Sequence, residues 1–154
     1  MAKQARKHPI LGRVTWDAQL NSWDAEVELP PGNPVHLSIV AEAEWADADP
    51  AELLAAGAEY LRWARQAEPQ IRQRVADDLH ECYNSAWADE DPEEGTPPMD
   101  RAEFLAAIRP DGVSLYHDGS ASWFYACGEL FGGHGIWLML GPDRGFKGKA
   151  SLVG

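Results

Sequence analysis

The chain is poor in cysteine, in lysine and in long apolar runs, and each shortage narrows what it can be. Two cysteines, Cys82 and Cys127, stand 45 residues apart in a chain of 154. That is no disulfide framework, and a reducing compartment is the simpler expectation. The longest apolar run, Gly135 to Gly141, falls well short of the roughly 18 residues that span a bilayer. The positive start Met1 to Lys7 is not followed by an apolar signal core, so neither secretion nor a membrane partner is expected. Lysine is absent between residues 41 and 108. A net charge of −12 opposes binding to phosphate backbones, where Lys and Arg displace counterions. Nucleic acid is therefore not an expected partner.

Catalytic signatures are missing as well. Gly-x-Ser-x-Gly does not occur, and neither cysteine has basic neighbours to lower its pKa. Gly128-Glu-Leu-Phe-Gly-Gly-His-Gly135 precedes an apolar strand and lacks the Lys-Ser/Thr of a phosphate loop. It reads as a turn between antiparallel strands, with glycines in backbone angles that other residues resist. His80, Cys82, Cys127 and His134 have the donor atoms zinc favours, but their spacing is not that of a zinc finger or ribbon. The cysteines read instead as small buried hydrophobes. No metal, no cofactor and no catalysis are expected. A deep pocket lined by His117, His134 and a carboxylate would reverse that expectation.

What is present is an ordinary globular composition, 45% apolar and 25% charged, with seven tryptophans. One domain covering residues 1–154 with an aromatic-rich core is expected. Ile10 to Trp16 and Ser22 to Leu29 read as a hairpin, and Val35 onward as a third strand with one apolar face. Asp49-Pro50 caps a helix carrying Leu53, Gly57, Tyr60, Leu61 and Ala64 on one side. Pro69 predicts an end near Ala67. A second helix or kinked continuation presents Ile71, Val75, Leu79, Cys82, Tyr83 and Ala86, and Asp100 with Glu103 boxes a short third helix. The chain then returns to strands: a hairpin through Asp118-Gly119, a strand from Gly135 to Leu140, and a final segment. This order predicts an α+β fold, a mainly antiparallel sheet packed against two or three central helices.

Charge is not spread evenly over this plan. Residues 41–108 hold 17 acids against five arginines, while the rest of the chain is neutral. The acids nearest the end of the second helix and the loop after it, Asp77, Asp78, Glu81, Asp89, Glu90, Asp91, Glu93 and Glu94, form the candidate partner-binding face. Trp87 is its candidate aromatic anchor.

The strand Ile10 to Trp16, its partner Trp23 to Leu29, the long helical middle, Phe104 in a short helix and Leu130-Phe-Gly-Gly-His134 resemble the bacterial family called domain of unknown function 2262. The likeness covers nearly the whole chain. It implies a bacterial, cytoplasmic α+β domain and brings no established activity. Small acidic domains of this style are similar to immunity proteins that neutralise toxins. The expectation is therefore a non-catalytic domain whose acidic surface binds a basic protein partner, most concretely a toxin. An interaction module whose charge serves solubility, and a nucleic-acid mimic, are the other readings the residues leave open.

Overall fold

The computed structural model describes residues 4–41, 49–91, 93 and 95–154. Among them, eight strands form one sheet in sequence order: β1 (Ala5–His8), β2 (Gly12–Asp17), β3 (Ser22–Glu28), β4 (Pro34–Val40), β5 (Arg109–Leu115), β6 (Ala121–Ala126), β7 (Gly135–Leu140) and β8 (Phe146–Val153). Neighbours pair antiparallel except β4 and β5, which run parallel with Leu37 opposite Val113 and Ile39 opposite Leu115. A parallel pair needs a long crossover. The helical middle of the chain supplies it, through α1 (Pro50–Cys82) and α2 (Arg101–Ala107). The fold is α+β and mainly antiparallel, with a sheet larger than the sequence outlined and, among the described residues, two α-helices.

Alternation along the strands decides which face is covered. Val35, Leu37 and Ile39 of β4, Val113 and Leu115 of β5, and Trp123 and Tyr125 of β6 are buried on the helix side. α1 lies against them with the stripe Leu53, Gly57, Tyr60, Leu61, Ala64, Ile71, Val75 and Leu79. Tyr60 and Trp123 seal the centre, the Trp123 Nε1–H donating to Tyr60 Oη at 2.9 Å. Each polar tip buried there thus finds a partner. Burial pushes the Tyr60 hydroxyl up to about 12.

Two helix boundaries differ from the sequence expectation. α1 does not stop at Ala67: it runs 33 residues, through Pro69. Proline removes one backbone donor and crowds the carbonyl four residues back, but Arg65 and Pro69 both face solvent, where water can take up the freed carbonyl. The buried stripe meanwhile continues from Ala64 through Glu68 to Ile71 and Val75, so ending the helix would strip the sheet of its cover. At its far end α1 passes into a π-helical turn, Tyr83–Trp87, closed by the Ala88 N–H on the Tyr83 carbonyl at 2.8 Å. Tyr83 points inward as expected, whereas Cys82 and Ala86 are exposed. Cys82 is therefore not a buried hydrophobe, but Cys127 is. The caps follow the sequence: Asp49 accepts from the Ala51 N–H, and Asp100 and Glu103 close a capping box on α2. β1 carries no apolar period that would announce it: Ala5, Arg6 and Lys7 are exposed and His8 is half-buried.

Candidate functional site

The π-turn delivers Trp87 to the β6–β7 connection, and the local sequence explains why it can lie there. The connection turns through Gly128, Gly132 and Gly133, all at positive φ, as the glycine-rich segment predicts. The indole stacks edge-on to Phe131 and His134, centroids 5.6 and 6.0 Å away. A Cβ on Gly132 would stand 3.2 Å from the Trp87 ring. Only glycine combines that φ of +63° with so close an approach. Phe131 is in turn packed against Tyr83 and Phe104, and the Tyr83 hydroxyl bonds Thr96 and the Pro97 carbonyl at 2.6 Å. Trp87 is thus held by an aromatic stack rooted in the core while 38% exposed.

In front of it opens a shallow groove of about 530 Å³, lined by Trp87, Glu93, Gly95, Thr96, Glu129, Leu130 and Gly132. Its charged lining is two carboxylates, with no Lys or Arg among the described residues. The acidic loop folds back on itself at the rim: the Asp89 N–H reaches the Thr96 carbonyl at 2.7 Å, Asp89 Oδ1 accepts from the Asp91 N–H at 2.9 Å, and Asp91 Oδ1 from the Glu93 N–H at 3.0 Å. An exposed indole beside carboxylates has the chemistry that can attract an ammonium or guanidinium group.

The nine candidate residues do not form one uniform surface. Trp87 and Glu93 line the groove, and Asp89, Glu90 and Asp91 are exposed beside it in sequence, as is Glu81 on α1. Glu94 falls outside the described residues. Asp77 is exposed but paired with Arg101 of α2 at 2.6 Å. Asp78 faces inward, its side chain 8% exposed. It accepts from Arg74 Nε at 3.1 Å and from the Ala150 N–H at 2.9 Å, a carboxylate tying α1 to β8 rather than a free surface charge. Glu129 carries no signal of this role in the sequence, because it lies far from the acidic run, in the glycine-rich connection.

The cysteine–histidine cluster is not assembled. His80 bonds the Met99 carbonyl at 2.6 Å, Cys82 is exposed on α1, and the buried Cys127 Sγ donates to the His134 carbonyl at 3.1 Å. Burial raises the Cys127 thiol pKa, the opposite of an activated nucleophile. His117 and His134 do not share a pocket. His117 lines a cavity at the other end of the core with Glu52 and Glu59, while His134 lies under Trp87.

Comparison with protein families matches the chain to the model of an uncharacterized protein family conserved in bacteria, DUF2262, over residues 8–148. The chain belongs to this family. The matched span includes all of the sheet from β2 to β7, both helices and every residue of the groove. No curated protein and no solved structure matches the chain. No helix among the described residues is long and apolar enough to cross a membrane.

Proposed function

We propose that this DUF2262 domain is a non-catalytic binding protein whose partner is a basic protein, and that its concrete role is to neutralise a basic toxin as an immunity protein. One observation carries the reading: an exposed tryptophan, fixed by packing and not by its own flexibility, borders a groove whose charged groups are carboxylates. A rigid aromatic costs little entropy on association, and tryptophan is among the residues enriched at binding hot spots. A lysine or arginine from the partner would stack on Trp87 and reach Glu93 or Glu129, while the loop acids steer the encounter. The helix portion contributes less than the sequence implied, because Asp77 already has its cation and Asp78 is structural.

The test is co-expression with each product of the adjoining genes, first scored for toxicity on its own. The wild-type domain protects the cell and co-purifies with the toxin. Trp87→Ala, whose ring is partly solvent-exposed, weakens binding about 30-fold or more, in the range of a hot-spot truncation. A domain that neither protects nor forms a complex refutes the role. Full protection by Trp87→Ala together with Glu93→Lys and Glu129→Lys refutes the groove.

A further inference from the structure

A second cavity, of about 340 Å³, opens where the carboxyl ends of β4 and β5 meet the first turns of α1. Its size is that of a small-molecule site, and the end of a parallel strand pair is where open sheets commonly receive ligands. Ile39, Leu53 and Leu115 give it an apolar floor, all three buried in the core.

Three charged side chains other than histidine stand on the lining, and they are not equivalent. Arg144, on the turn between β7 and β8, sits at φ +67°, a conformation non-glycine residues rarely hold. It lays its guanidinium over Trp63 and Tyr60, 5.0 and 5.7 Å from the ring centroids. Its Nη2 donates to Glu59 Oε1 at 3.3 Å. The arginine is therefore already matched, in charge by Glu59 and in shape by two rings. Glu52 has no ion pair among the described residues. It stands in the first turn of α1, exposed to solvent on the cavity lining. Among the described residues other than histidine, the excess charge at this mouth is one carboxylate, set above apolar walls in a chain of net charge −12, which concentrates cations and repels anions.

From these observations we infer that the cavity binds a small hydrophobic amine in its protonated form, the ammonium on Glu52 and the apolar body on Ile39, Leu53 and Leu115. The site lies apart from the Trp87 groove, shares no lining residue with it, and stands whether or not a toxin is the groove's partner.

Titration calorimetry and ligand-observed NMR with 2-phenylethylammonium, and with phenylacetate as the anion of matching shape, test the inference at about pH 8, where an alkylamine remains protonated. The amine binds with one site per chain and phenylacetate does not. Glu52→Gln weakens the amine about tenfold, the usual scale of one charge-assisted contact. Ala56→Trp, at an exposed position that also lines the cavity, abolishes binding while the thermal transition is kept. If Ala56→Trp does not fold, Glu52→Gln alone decides. Absence of amine binding at about 1 mM, phenylacetate binding as tightly as the amine, or amine affinity unchanged in Glu52→Gln overturns the proposal.

Discussion

Removing the Glu68 carboxylate tests the packing account most severely, because this residue occupies the middle of α1 where the sequence argued for an end. Glu68 is 3% exposed. Its Oε1 accepts from Arg72 Nε and Nη2, each at 2.8 Å, and from the Tyr125 hydroxyl at 3.2 Å. Arg72 is 22% exposed and has one further acceptor, the Leu105 carbonyl at 3.1 Å. Glu68→Ala leaves that cation nearly alone and the buried Tyr125 hydroxyl without its acceptor. Breaking a buried pair costs roughly 3–5 kcal/mol, and the residual exposure of Arg72 puts this case at the low end, about 3 kcal/mol. The better helix propensity of alanine returns only a few tenths. For a domain of this size the loss lowers Tm by roughly 6–12 °C. Urea unfolding with an unchanged m-value is the assay. Glu68→Gln, which keeps an acceptor for Tyr125, loses about 1–2 kcal/mol. Glu68→Met with Arg72→Met removes both charges but still leaves the Tyr125 hydroxyl unpaired, so it costs about 1–2 kcal/mol, less than Glu68→Ala. A Glu68→Ala loss below about 1 kcal/mol would show that the network contributes nothing and refute the reasoning.

Further outcomes follow from the same structure. Gly57→Ala places a Cβ 2.3 Å from Ile39 Cδ1. Overpacking of about 1–3 kcal/mol outweighs the helix gain of about 1 kcal/mol, and adding Ile39→Val, which removes that atom, restores stability in thermal melts. Asp78→Ala frees the Ala150 N–H and Arg74, lowering stability by about 2 kcal/mol and raising amide hydrogen exchange selectively in β8. Burial raises the Tyr60 pKa from about 10 unfolded to about 12 folded. The folded state then keeps a proton the unfolded chain gives up, so this contribution is intact below pH 10 and falls by roughly 2–3 kcal/mol as pH rises toward 12. Tyr60→Phe flattens that part of a stability–pH profile.

Elements whose evidence is local were legible in the sequence. Asp49-Pro50 and the Asp100/Glu103 box announce their helices because caps are satisfied within one turn, and Asp118-Gly119 marks its hairpin because the turn needs a positive φ at Gly119. Features set by distant partners were not legible. Pro69 is a breaker by local rules, yet a sheet assembled from residues on both sides of the helix keeps the helix continuous through it. Asp78 looks like one more surface acid until β8, some 70 residues later, presents the Ala150 N–H to it. The groove shows the same division. Trp87 and the loop acids stand out in the sequence, whereas Glu129 and Gly132 join them only because a π-turn lays the indole on the β6–β7 connection.

The claim that this groove receives a basic partner is tested most directly by the affinity of whichever toxic protein the co-expression recovers for the Glu93→Lys, Glu129→Lys double variant as salt is varied. Two reversed charges facing a cation cost several kcal/mol. The account predicts a Kd raised about 100-fold at low salt, with the gap to wild type narrowing as ionic strength rises. An equal Kd for the two proteins across the salt series would contradict it.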